Sequence, residues 1–240
     1  MESGGAAGGQ TDLISFIKRR VARVIVRLFP DALLTPETEE QVRILGHRRY
    51  VGGDWDSIGD MSFAFLREQG LRPDHVLLDI ACGSFRLGSR AIPYLDPGNY
   101  LGIDREASLI AEGMKHELGE AMIAQKRPEI LISADFEFAR FSRHPDVAVA
   151  FSLFTHLTPD AIDLCLRRLR NVMKPDSRFY ATYKPRPRLW RNPSVSNSFA
   201  SFRYSLSEMT EFAKCNGFTV TEMGDWRPQA IQKMLQFRLA

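Results

Sequence analysis

From residue 75 onward the chain alternates between short, nearly continuous apolar runs and longer segments of helical period. Residues 75–80 (HVLLDI), 100–103, 130–133, 147–151 and 179–183 have the pattern of strands buried on both faces. Residues 84–95, 108–125 and 159–173 are predicted helices, the last with Thr158 as its cap and Pro159 at its first position. Ser205-x-x-Glu208 is a capping box for a further helix closed by Gly217. Residues 218–223 and 233–238 are the last strands. The stretch 225–231 between them is too short for a crossover helix, so these two pair antiparallel. The pattern predicts an α/β fold: a doubly wound, mainly parallel, seven-stranded Rossmann-like sheet with an antiparallel last strand.

Before residue 75 the period is helical only. Residues 12–29 place Leu13, Ile17, Val21, Val24 and Leu28 on one stripe, with Lys18, Arg19, Arg23 and Arg27 mostly off it. A second helix is predicted from Thr35-Pro36-Glu37 toward Arg49, then Gly52-Gly53, then a third helix over 58–69 closed by Gly70. The expected organisation is a Gly-rich tail over 1–10, a helical extension or lid over 11–74, and a catalytic domain over 75–240.

Composition narrows the classes. In 240 residues, 44% hydrophobic and 25% charged side chains describe an ordinary globular chain, large enough to need no staples. No run of about 18 apolar residues offers a membrane span. Residues 1–10 have no basic stretch, and Lys18, Arg19, Arg20 and Arg23 interrupt the apolar segment that follows, so no secretory signal is expected. Cys82, Cys165 and Cys215 form no Cys-x-x-Cys pair, which predicts a reducing cytoplasm without disulfides or structural zinc. The five histidines include no His-Glu-x-x-His, and no metal is expected. Beyond residue 35 the chain has 27 basic and 26 acidic side chains, so no nucleic-acid partner is expected. Two stretches are basic: 11–30, and 177–207, which has six cations and no acid.

Open α/β sheets bind ligands at the carboxyl ends of their strands. The first such end reads Asp79-Ile80-Ala81-Cys82-Gly83-Ser84-Phe85-Arg86, an acid followed by a small-residue turn. The second ends at Asp104, followed by Arg105, where an acid can accept both hydroxyls of a ribose. The third leads into Asp135-Phe136, an acceptor for an adenine amino group beside an aromatic face.

Three acids at successive strand ends around a glycine turn resemble class I S-adenosylmethionine-dependent methyltransferases, over about residues 75–240. Gly53-Asp54-Trp55, the run 78–84, Phe154-Thr155-His156-Leu157 and the final hairpin are similar to a bacterial small-molecule branch of that family. The resemblance implies S-adenosylmethionine (SAM) as cofactor. It implies Asp79, Ala81, Cys82 and Gly83 on the methionine part, Asp104 with Arg105 on the ribose, Asp135 and Phe136 on the adenine, and Ser152 beside the sulfonium. The usual turn is Asp-x-Gly-x-Gly-x-Gly, and Ala81 and Phe85 replace its first and third glycines. Alanine resists positive φ, which predicts a conventional backbone at 81, and Phe85 is expected to open the next helix. These departures motivate a second reading, a noncatalytic nucleotide-binding or scaffold protein on the same fold. The nicotinamide fingerprint fits worse, with Ala, Gly and Arg at 81, 83 and 86.

His156 follows the fourth strand and is the candidate base that takes a proton from an acceptor hydroxyl. Packing or capping is its alternative role. The expected acceptor is a sugar, glycolipid or secondary-metabolite hydroxyl, with a nitrogen acceptor also open because the sequence does not identify the acceptor atom, and Trp55, Lys184, Arg186, Trp226 and Arg227 are candidate contacts. Tyr50, Trp55, Phe65, Trp190, Phe199, Phe202 and Tyr204 offer an aromatic lid, with core packing as the alternative. The basic helix 12–29 has three uses open to it: a lid, a homodimer contact, or an anionic membrane surface.

Overall fold

The computed structural model describes residues 38–196, 201–227, 229 and 231–240. The basic helix expected over 12–29, the start of the second helix at 35–37, and Phe199 lie outside these residues.

Seven strands form one sheet in the order β3-β2-β1-β4-β5-β7-β6: β1 Leu77–Ile80, β2 Tyr100–Asp104, β3 Glu129–Ile132, β4 Val147–Ala150, β5 Arg178–Tyr183, β6 Phe218–Arg227 and β7 Gln232–Leu239. Strands β1 to β5 run parallel, and β7 runs antiparallel to both β5 and β6. The uniformly apolar runs are the central strands: every residue of β1, β2 and β4 is buried. The final hairpin is longer than its apolar pattern, because two register shifts in β6, at Glu222/Gly224 and Asp225/Arg227, extend pairing past the hydrophobic alternation.

Helices cover both faces: α1 Thr38–Leu45, α2 His47–Tyr50, α3 Trp55–Glu68, α4 Gly88–Tyr94, α5 Ala107–Gly113, α6 Gly119–Lys126, α7 Pro159–Arg170 and α8 Leu206–Cys215. One core packs Leu78, Ile80, Phe154, Leu166 and Phe179, and the opposite core packs Leu66, Leu77, Phe85, Tyr100 and Tyr180. The capping box at α8 is present, with Glu208 N donating to Ser205 Oγ and Ser205 N donating to Glu208 Oε2.

Three helices differ from their prediction for local reasons. The helix expected to run on to Arg49 breaks at Gly46, whose φ is 77°. The helix over 108–125 is split by a π-helical turn, Met114–Leu118, and by Gly119 at φ 72°. The helix expected from residue 84 begins only at Gly88, because the chain first completes the turn that shapes the site. At Gly113, α5 crosses that turn so closely that a Cβ would sit 2.6 Å from the Ser84 carbonyl oxygen.

Candidate active site

A cavity of about 440 Å³ opens at the carboxyl ends of β1, β2 and β4 and beside the loop after β3. The strand order reverses between β1 and β4, and ligands of open α/β sheets bind at such a reversal. The size falls in the range of about 300–1,000 Å³ of small-molecule sites.

Of the residues singled out by sequence, Ala81, Gly83, Asp104, Arg105, Phe136, Ser152 and His156 line this cavity together. Besides Gly83 (φ 55°), three non-glycine residues among them, Ala81 (φ 62°), Phe136 (φ 57°) and Ser152 (φ 62°), have left-handed backbones. Such strain costs about 1–3 kcal/mol per residue and gathers at functional sites. The conventional backbone expected at Ala81 is therefore corrected. Cys82 N donates to the Ile103 carbonyl across the strand ends (3.1 Å), and Gly83 N donates to Asp104 (2.8 Å), so the turn is held from β2 rather than chosen by residue 81.

Phe85 is corrected too. It sits at φ 65° with its ring fully buried against Tyr100, three residues before the helix. Burying a phenylalanine contributes about 1.5–3 kcal/mol, which offsets the roughly 1–2 kcal/mol of a left-handed residue. The two substitutions thus leave the glycine-type turn intact. Replacing Ala81 by glycine should stabilise the protein by about 0.5–1 kcal/mol. It removes left-handed strain of about 1–2 kcal/mol and gives back part of it through the unfolded chain's entropy. Urea denaturation checks this, and a lower midpoint for Ala81→Gly would contradict it.

Asp104 ends β2, and its carboxylate accepts from Gly83 N through Oδ2 (2.8 Å) and from Glu106 N through Oδ1 (2.9 Å). Burial pushes its pKa up, against the pull of these two bonds. A carboxylate has about four acceptor positions, so two remain for a ligand. Ser152 is fixed by its backbone N donating to Thr182 Oγ1 (2.7 Å) and its Oγ donating to Gln232 Oε1 (3.2 Å). His156 is half-buried, with its backbone N on the Leu153 carbonyl (2.9 Å).

Asp79, Cys82 and Asp135 are not among the lining residues. Asp79 is buried beneath the turn and accepts the Tyr100 hydroxyl (2.7 Å); burial raises its pKa to about 7. The Cys82 thiol is buried, and burial pushes its pKa well up. Asp135 is exposed, and its carbonyl accepts from Arg168 (2.5 Å).

Asp79 has a consequence for stability. An unfolded aspartate titrates near 3.9, so between about pH 4 and pH 7 only the folded state retains this proton. Its contribution to stability is therefore least unfavourable below pH 4, declines through that window, and is flat above it. The total decline should be on the order of a few kcal/mol. Urea midpoints at pH 5 and pH 8 should show Asp79→Asn gaining most at pH 8. An equal difference at both would contradict this.

The candidate substrate contacts also lie off the lining. Trp55 is buried edge-on to His47 (5.8 Å). Lys184 donates to Ser201 Oγ (2.8 Å), and Arg186 pairs with Glu208, one residue beyond the acid-free stretch. Trp226 stacks at 4.9 Å on Phe151, which does line the cavity, while Arg227 lies near Arg86. Of the aromatic lid candidates, Tyr50 lines the cavity, whereas Phe202 and Tyr204 are core residues.

The most informative residue missing from the sequence reading is Arg86. It lines the cavity, and its Nη1 donates to the carbonyls of Val51 (3.1 Å) and Gly53 (3.5 Å). Burial, with Arg227 nearby, lowers its pKa to about 10, so it stays cationic at neutral pH. Among the described residues it makes no ion pair. Nothing in its spacing marks it out, since Arg90, four residues on, binds Asp56 and Asp60 at the surface. Among the described residues no group of three His, Cys, Asp or Glu could hold a metal ion, and no helix is long and apolar enough to cross a membrane.

No family model matches the chain. Solved structures do match along most of it. Magnesium protoporphyrin IX methyltransferase from Synechocystis PCC 6803, with bound SAM, is 12% identical at a TM-score of 0.55, covering 92% of this chain and 97% of its own. A SAM-dependent methyltransferase from Clostridium acetobutylicum ATCC 824 is 12% identical at 0.58, covering 84% and 98%. The mitomycin 7-O-methyltransferase MmcR is 19% identical at 0.62, covering 85% of this chain and 59% of its own. The chain has the fold of the SAM-dependent methyltransferases.

Proposed function

We propose that this protein is a SAM-dependent methyltransferase that transfers the methyl group to a hydroxyl of a small-molecule acceptor. Asp104 carries the reading. It is a buried carboxylate at the β2 end, facing the cavity, with two acceptor positions left after its backbone bonds. That is what a ribose diol requires. The other donors and faces suit the rest of the cofactor. Arg86 is a half-buried cation that makes no direct ion pair among the described residues, with Asp79 and Asp54 acting on it only at longer range, and it is matched to the methionine carboxylate. Phe136 presents a ring for the adenine, and Ser152 and His156 border the sulfonium side.

Bound SAM supplies a methyl carbon already activated by the sulfonium, so the protein contributes alignment and proton removal. In this reading Asp104 fixes the ribose of the donor and Arg86 its carboxylate end. His156 accepts the proton of the acceptor hydroxyl as its oxygen bonds to carbon. Phe151, Leu153, Leu157 and Ala161 make the nearby wall apolar and exclude water. Such a wall favours a hydroxyl on an apolar skeleton, as in a secondary metabolite or glycolipid, over a bare sugar. The buried free thiols of Cys82 and Cys165 support a reducing cytoplasmic setting.

Titration calorimetry tests the reading. S-adenosylhomocysteine (SAH) and SAM should both bind the wild-type protein, and NAD should not. Labelled SAM should then transfer its methyl to hydroxyl-bearing apolar acceptors. A protein that binds neither SAM nor SAH would overturn the proposal. Binding without transfer to any acceptor would favour the noncatalytic reading.

A further inference from the structure

Helix α2 is four residues long; its last residue, Tyr50, and the two that follow, Val51 and Gly52, line the cavity. Its ends are pliable: Gly46 (φ 77°) precedes it, and Gly52 (φ 102°) and Gly53 (φ 66°) follow it. A Cβ at any of these glycines would meet nothing within 4 Å, so packing does not fix the chain at these three points. Side chains also hold it: besides the approach of His47 Nδ1 to Glu112 (4.0 Å), two attachments bear on the cavity.

The first comes from Glu117, on the π-helical turn between α5 and α6. Its side chain is 5% exposed and accepts three bonds from α2: His47 Nε2 (2.6 Å), Arg48 Nε (2.7 Å) and Arg48 Nη2 (2.7 Å). Burial works against its charge, but the bonds from Arg48 and His47 hold its pKa below the usual range. Around this clasp, His116 stacks on His47 (5.8 Å) and Arg48 lies over the Trp55 ring (5.2 Å). The second attachment is Arg86, which reaches up from the cofactor turn to the Val51 and Gly53 carbonyls.

We propose that Glu117 is a positioning residue of the methyl-donor site: through His47 and Arg48 it seats residues 50–52 as a roof over the bound donor. The inference rests on reading the cavity as a SAM site. Glu117 itself does not line the cavity. It acts through α2, and the π-helical turn brings its carboxylate to that helix. Such turns recur at functional sites. Arg86 couples roof and ligand. Nη1 serves the roof carbonyls, and the remaining N–H groups are available to the donor's carboxylate. Filling the cavity and closing the roof should then reinforce one another.

The test uses the full chain with SAH and SAM as probes. Glu117→Ala, and separately Arg48→Met, should speed SAH release and raise KM for SAM by about 5–50-fold, with kcat at saturation little changed. Arg48 is half exposed, so its replacement leaves the core alone. Hydrogen exchange adds a local readout. SAH should protect the amides of residues 47–53 in the wild type, and this protection should be lost in both variants. Variants that melt at lower temperature yet release SAH at the wild-type rate would overturn the role of Glu117, leaving it a structural clasp. A wild-type protein that does not bind SAH would instead overturn the cofactor reading, and this inference with it.

Discussion

Replacing Asp104 with alanine is expected to weaken SAH binding by at least about 2–3 kcal/mol, or 30–150-fold, given about 1.5–3 kcal/mol for each hydrogen bond to a charged acceptor. Two losses combine. The ribose diol loses its acceptor, and the turn at Gly83 loses the carboxylate that holds it at 2.8 Å. Because Ala81 is left-handed without a glycine's freedom, the turn depends on that external hold. Asp104→Asn keeps one acceptor oxygen and should fall between wild type and alanine. Calorimetry reads the affinity, and circular dichroism confirms the fold. Wild-type affinity in Asp104→Ala would remove the ribose assignment.

The second large effect is expected at His156. If its imidazole takes the acceptor's proton, His156→Ala should lower kcat by about 10²–10⁴-fold with little change in SAM affinity. The wild-type kcat profile should carry an acid limb, and the variant should lack it. A side chain that only packs would give a different pattern: a lower melting temperature with most turnover retained. A stable variant with near wild-type kcat would reduce this site to positioning alone.

The sequence made the sheet legible because β1, β2 and β4 are buried on both faces, and burial leaves one readable signature, an unbroken apolar run. It made Asp104, Gly83, Ser152 and His156 legible as a group because strand ends converge in this fold. Local propensity misled at Ala81 and Phe85. There the tertiary hold of β2 and the burial of the Phe85 ring outweigh the cost of positive φ. Arg86 was not legible, since its bonds to the backbone carbonyls of Val51 and Gly53 leave no trace in spacing. The clasp between Glu117 and α2 joins residues 69 and 70 positions apart and was equally hidden. The basic stretch 177–207 shows the converse. Its lack of acids left Lys184 and Arg186 as candidate substrate contacts, yet Arg186 is answered by Glu208 just past the end, and Lys184 is bound by Ser201.

The most direct test of the account is a crystal structure of the protein with SAH. The ribose should lie on Asp104, the amino-acid carboxylate on Arg86, the adenine against Phe136, and the sulfur beside Ser152 and His156, with residues 50–52 closed above. SAH bound elsewhere, or bound in this cavity with its ribose away from Asp104 and its carboxylate away from Arg86, would contradict it.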